Sequence, residues 1–280
     1  MDSPADAPTG TERSGIPEVG TDSVPFLQGS GGMFVQALDF SFEVSDDGVS
    51  MLGSATFTDT LRSPGSSLVR PSLLATIADC VTGVPACQAT APRLAVTLDI
   101  VVRIVADRMD DQLDISAQII KKGRSTVATE VCFSNATTGD PAALSYLTFM
   151  ASPRPQDVAP PLFGGMRTTG SMPVAFPDFV GLRVLEPGVA EIELSPFVAQ
   201  ASGTLQGGVV ALLGEMAAES LSGGTVLDLD TRYLTAVRVG PARTTAVSLG
   251  GGLVRVQVHD VGTGNRLAAL VTARVGPSIL

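Results

Sequence analysis

The stretch "TLQGGVVALLGEMAAES", Thr204 to Ser220, opens an apolar helix on a Gln-Gly-Gly turn and sets one carboxylate, Glu215, inside it. A helix that begins on glycine presents unpaired backbone N–H groups at the positive end of its dipole, which suits an oxygen that becomes negative. Gly207 is the candidate donor, because glycine lets a ligand approach the backbone closely. A carboxylate can attack a carbonyl carbon or activate water against it, so turn and acid together suggest chemistry at a carbonyl. Glu215 cannot partner its own turn, however. Eight residues of helix put it about 12 Å away at 1.5 Å rise per residue. The working acid must come from a second helix running antiparallel to the first.

The chain contains such a helix, because it says the same thing twice. "LVRPSLLATIADCVTG", Leu68 to Gly83, matches "TLQGGVVALLGEMAAE", Thr204 to Glu219, with Asp79 over Glu215. Arg70 then falls on Gln206, Pro71 on Gly207 and Ser72 on Gly208. Downstream, "TLDIVVRIV" matches "VLDLDTRYL", with Asp99 over Asp228 and Arg103 over Arg232, and the recurring aspartates suggest a shared structural role more than chemistry. "AQIIKKGRSTVATEVCF" parallels "AVSLGGGLVRVQVHD", and both blocks end in an alternating strand. Upstream, "FSFEVSDDGVSMLGSATF" pairs with "GLRVLEPGVAEIEL", each two alternating runs across a turn containing glycine.

Each half thus reads as a strand hairpin, a turn, an apolar helix and about three long antiparallel strands. The predicted class is α+β. A helix apolar nearly all round must be enclosed, and a curved antiparallel sheet wrapped around it does so. Two such units can join edge to edge and protect their sheet edges. The expected divisions are an acidic, disordered leader over 1–24, a first unit over 25–152, a Pro- and Gly-rich linker over 153–173 and a second unit over 174–280.

Bulk properties narrow the function. The 280 residues are 44% hydrophobic with no Trp, so a sizeable core must rest on Val, Leu, Ile and Ala. A formal charge of −10 without a local basic excess argues against nucleic acid as a partner. Cys80, Cys87 and Cys132 follow no metal spacing and leave an odd thiol over, which suits a reduced cytoplasm. The N-terminus lacks the basic and apolar regions of a signal peptide. The apolar runs are expected to fall well short of the roughly 20 residues of a membrane span.

The second half resembles the hotdog-fold acyl-CoA thioesterases of the phenylacetate-pathway type. Their usual motif is a His-Gly-Gly turn, a helix, and an Asp or Glu nine residues after the His. "QGGVVALLGE" keeps that spacing from Gln206 to Glu215, with Gln206 in place of His. The likeness is clearest over 180–275 and fainter over 40–150, so the whole chain is similar to a tandem, double-hotdog protein. The resemblance implies a thioester hydrolase whose site is shared between two hotdog units, here the two halves. One site would pair the Gln206-Gly207-Gly208 turn with Asp79. The other would pair the Arg70-Pro71-Ser72 turn with Glu215, and it is expected to be degenerate because Pro71 has no N–H. Gln200 corresponds to a family Asn or Gln that touches the attacking water or carboxylate. Arg124, Arg238 and Arg243 are candidates for meeting coenzyme A phosphates. No cofactor is implied beyond the coenzyme A of the substrate, and the double-hotdog units are expected to pair further into homo-oligomers.

Plainer readings stand beside these. Asp79, with Thr76 and Thr82 at i, i+3 spacing, reads otherwise as a hydrogen-bonded buried aspartate or as part of one exposed stripe. Glu215 and Glu219 read as a solvated acidic stripe, the Gly207-Gly208 pair as a tight helix entry, and the three arginines as solvated loop charges. A catalytically weakened acyl-CoA- or lipid-binding protein is the alternative function. A hotdog enoyl-CoA hydratase is a weaker one, because such enzymes use a His with an Asp five residues earlier. Here the sole histidine, His259, has Val254 at that place and reads as a surface or edge residue.

Overall fold

The computed structural model describes residues 33–154, 157–159, 164–200 and 202–277, so the 1–24 leader lies outside the described residues. The first half runs β1 (Asp39–Val44), β2 (Ser50–Thr56), α1 (Pro71–Thr90), β3 (Ala95–Ile104), β4 (Gln112–Lys122), β5 (Thr126–Asn135), β6 (Pro141–Ala151) and β7 (Gly165–Thr169). The short α2 (Phe176–Phe179) leads into β8 (Arg183–Glu186), β9 (Val189–Ile192), α3 (Gly207–Ser222), β10 (Thr225–Tyr233), β11 (Ala242–Gly250), β12 (Leu253–Asp260) and β13 (Arg266–Gly276). Among the described residues, thirteen strands form one antiparallel sheet in the order β7-β1-β2-β4-β5-β6-β3-β10-β13-β12-β11-β9-β8. Apart from β7, that order is the same succession read inward from both ends, meeting at β3 and β10.

Three sequence expectations need correction. Each long helix is followed by four strands, because the long alternating segments after each helix fold back once more than their turn residues announced. The 153–173 linker contains β7, whose Gly165–Thr169 pairs antiparallel with Asp39–Glu43 of β1 and so extends the first unit's sheet by one strand. Finally, α1 is 20 residues long and passes for a membrane span by length and mean hydropathy alone. Thirteen of its residues are buried against the sheet and α3, including Leu73, Leu74, Ile77 and Val81, so its apolar surface is used inside the protein.

The duplication reaches into backbone irregularities. The β3–β6 ladder skips a residue at Leu98, and the β10–β13 ladder skips one at Leu227. Likewise β4–β5 skips Ile120 and β11–β12 skips Leu249. Both pairs keep the spacing that superposes Asp99 on Asp228. Bulges bend and twist a strand, so repeating them gives both halves the same curvature around their helices. At the seam, β3 and β10 pair with Asp228 opposite Arg103 and Arg232 opposite Asp99. The recurring Asp and Arg therefore sit opposite one another across the seam, with Arg232 turned to Asp230 of its own strand at 3.5 Å. Arg103 Nε lies 3.9 Å from Asp228, which Arg274 also approaches at 3.1 Å.

The two helices cross where glycine permits. Ser72 meets Glu215 while Thr76 meets Gly208, so α1 and α3 run antiparallel. A Cβ at Gly208 would overlap the Thr76 hydroxyl, and one at Gly214 would come within 2.6 Å of Val271. These glycines bring α3 against α1 on one side and against β13 on the other.

A candidate active site between the halves

The antiparallel crossing sets the start of α3 beside the middle of α1. Asp79 (α1), Gln200, Gln206 and Gly207 (the entry of α3), Tyr233 (the end of β10) and Arg238 line one cavity of about 580 Å³. Five candidates from the sequence, Asp79 from the first half and the other four from the second, thus share one space. Asp79 is half-buried and lines the cavity. Burial pushes its pKa from 3.8 to about 6, against the opposing pull of a hydrogen bond from Thr97 Oγ1 at 2.8 Å. Thr76 and Thr82 spend their hydroxyls on helix carbonyls of Ser72 and Ala78 and leave Asp79 alone.

Gln206 is the N-cap of α3. Its Oε1 accepts from the N–H of Gly208 at 2.5 Å and of Val209 at 3.2 Å, as an Asn or Ser would at such a position. Its oxygen is therefore turned back onto the helix, and its amide NH₂ is the part left for a ligand. The N–H of Gly207 makes no hydrogen bond among the described residues. Gln200 is exposed and donates from Nε2 to Thr204 Oγ1 at 2.7 Å, so its side chain is held at the cavity rim through Thr204.

Sequence reasoning missed Tyr233 and Thr97. Tyr233 donates from its hydroxyl to the Gly207 carbonyl at 2.8 Å, pinning the glycine turn to β10. Its phenol is held well above the usual range by burial and by the nearby Asp79 and Asp99 charges, so it stays a donor. The signal was present in the repeat: Tyr233 lies over Ile104, a polar group acquired by one half only. Two thiols, Cys80 and Cys87, also face the cavity and are kept protonated, their pKa values raised mainly by burial.

The second predicted site is a closed ion network. Glu215 and Arg70 are buried, and Arg70 Nη1 lies 2.8 Å from Glu215 Oε1 and 3.0 Å from Glu219 Oε2. The Ser72 N–H donates to Glu215 Oε2 at 2.9 Å. The reading of Glu215 and Glu219 as a solvated stripe is therefore corrected: the arginine that replaces Gln206 in the other half draws both carboxylates inward. The pKa of Glu219 is raised, chiefly by burial and then by Glu215, with Arg70 pulling the other way. Both carboxylates, the Arg70 Nη1 and the Ser72 N–H are thus spent on one another, and the Ser72 Oγ and Arg70 Nε are buried without a partner among the described residues.

Of the three arginines expected near coenzyme A, Arg238 lines the cavity. Arg124 lies at the β4–β5 turn, outside the cavity wall. Arg243 is engaged with Glu191, Nε to Oε2 at 2.6 Å, and Arg183 approaches the same carboxylate at 2.9 Å. The role expected of Arg124 and Arg243 thus finds no support from their positions. His259 is half-buried in β12, opposite Arg243 of β11.

No protein-family model matches the sequence, and no curated protein matches it. Solved structures do. An acyl-ACP thioesterase from Bacteroides thetaiotaomicron superposes with a TM-score of 0.59 at 9% identity, covering 83% of this chain and 100% of that one. The 12:0-ACP thioesterase from Umbellularia californica gives 0.59 at 9%, covering 82% and 98%. A tesB protein from Mycobacterium avium subs paratuberculosis gives 0.52 at 11%, covering 88% and 98%. The chain is similar to these proteins along almost their whole length and shares the fold of hotdog-type thioesterases.

Proposed function

We propose that this protein is an acyl-CoA thioesterase built as two tandem hotdog units, with one working site composed of the Gly207 turn of the second half and Asp79 of the first. The observation that carries the reading is the meeting of those two residues in one cavity. The thioester carbonyl oxygen accepts from the Gly207 N–H at the positive end of α3, with the Gln206 amide NH₂ as a second donor. Asp79 takes a proton from a water molecule as the water oxygen bonds to the carbonyl carbon. The carbon–sulfur bond then breaks, and the carboxylic acid returns its proton to the departing thiolate. A pKa of about 6 matches that task near neutral pH. Arg238 at the cavity meets a coenzyme A phosphate. The resemblance to thioesterase folds supports the reaction class, and the repeated strand order supports the tandem reading.

One observation favours the second reading, a protein that binds acyl-CoA or lipid without turnover. The Gln206 side chain occupies the Gly208 and Val209 N–H groups, leaving one backbone donor for an oxyanion. Free-thiol release from a panel of acyl-CoAs separates the two. Turnover that disappears in Asp79→Ala and persists in folded Glu215→Gln supports hydrolysis at the Asp79 site. Tight acyl-CoA binding with no thiol released supports the binding protein instead.

A further inference from the structure

The long helices contain glycines of two kinds. Gly208 and Gly214 are required by neighbours that a Cβ would strike. Gly83 is different. It sits inside α1 with ordinary helical backbone, and a Cβ built there would meet nothing within 4 Å. Neither left-handed backbone nor close packing explains a residue that weakens a helix interior relative to alanine. Gly83 does line the cavity, one helical turn beyond Asp79, on the face of α1 that also presents Cys80, Val84 and Cys87. Gly83 thus combines a place in the cavity wall with open space where a side chain would stand.

We infer that Gly83 makes room for the acyl chain, and that the substrates are apolar acyl groups long enough to pass one helical turn beyond Asp79. The inference rests on the hydrolase reading and adds to it the arm of the substrate that runs along α1. The wall suits that arm. Cys80 and Cys87 are uncharged, soft groups that behave as small hydrophobes. Val84 lies between them, and Leu98 and Phe149 bring apolar surface from the sheet. Gly83 lies about 6 Å beyond Asp79 at 1.5 Å rise, which at roughly 1.5 Å per bond is about four bonds, so a chain of about five carbons reaches it. Acyl groups of two to four carbons end before it.

The test compares wild type, Gly83→Ala and Gly83→Leu with acetyl-, butyryl-, decanoyl- and palmitoyl-CoA, and measures laurate binding by calorimetry. Both substitutions favour the helix, and far-UV circular dichroism verifies that each variant is folded. The expected result is a graded effect: Gly83→Leu lowers kcat/KM for decanoyl- and palmitoyl-CoA by more than tenfold, Gly83→Ala lowers it less, and acetyl- and butyryl-CoA change by less than threefold. Laurate binding weakens in the same order. If no thioester is turned over but laurate binds wild type and is lost in Gly83→Leu, the hydrolase reading falls and the acyl groove stands. An equal effect on all chain lengths, no effect on long ones, or no laurate binding to wild type without chain-length selectivity in turnover overturns the inference.

Discussion

Asp79→Asn should make the protein more stable while depriving it of its base. Burial holds the carboxylate at the cavity wall with a pKa of about 6, against 3.8 for a free aspartate. A folded-state pKa above the unfolded one means that the charged form is penalised by folding. The penalty is complete above pH 6, shrinks as pH falls between the two values, and vanishes below the unfolded pKa. At 1.36 kcal/mol per unit, the shift corresponds to at most about 3 kcal/mol at pH 8 and to about 1 kcal/mol at pH 4.5. Partial contact with cavity water reduces both figures. Asparagine has the same shape and keeps an oxygen for the Thr97 hydroxyl, so the substitution removes the charge and little else. Urea unfolding of wild type and variant at pH 8 and pH 4.5 measures the difference. The variant should be the more stable at pH 8, by up to about 3 kcal/mol, with most of that gain gone at pH 4.5. Destabilisation at pH 8, or a gain that does not depend on pH, would refute the assignment of Asp79 as a carboxylate strained by its cavity.

The closed network opposite makes a contrasting prediction. Arg70→Met strands Glu215 and Glu219 in the interior and should cost about 3–5 kcal/mol in urea unfolding, whereas Glu215→Gln leaves Arg70 paired with Glu219 and should cost less than half as much. Gly208→Ala forces a methyl group into the Thr76 hydroxyl and should destabilise by about 1–3 kcal/mol, with Thr76→Ala partly restoring stability in the double variant. Tyr233→Phe removes the hydrogen bond to the Gly207 carbonyl, worth about 1 kcal/mol, and should lower kcat/KM about fivefold. In that variant an unchanged kcat/KM would show that the turn needs no support from β10.

Much of this arrangement is legible in the sequence because the chain repeats itself. Aligning "LLATIADCVTG" with "VVALLGEMAAE" places the two acids at corresponding points, and helix length separates Glu215 from its own turn. Antiparallel pairing of the helices then sends each acid to the other half. Long-range contacts are not legible in this way. Arg70 sits where the other half has Gln206, but only the fold reveals that it points inward, 145 positions along the chain from its partner Glu215. The same limit hides Tyr233, whose hydroxyl reaches across 26 residues to the turn. It also hides β7, because five residues in a Gly-rich stretch carry too short an alternation to announce a strand, and pairing with β1 supplies what the local pattern lacks. Gln206 stands where the resembling family has a His, and local geometry claims its oxygen for the helix. An amide at the N-cap position satisfies two helix N–H groups that a substrate would otherwise have to meet.

The central claim is that a carboxylate from the first half acts on a carbonyl held by a turn of the second. Release of free coenzyme A from decanoyl-CoA at pH 8 by wild type and Asp79→Asn, both shown to be folded, tests it most directly. The account predicts sustained turnover by wild type and a loss of about a hundredfold or more in kcat/KM for the variant, as removal of a general base entails. Equal turnover by the two proteins would contradict it.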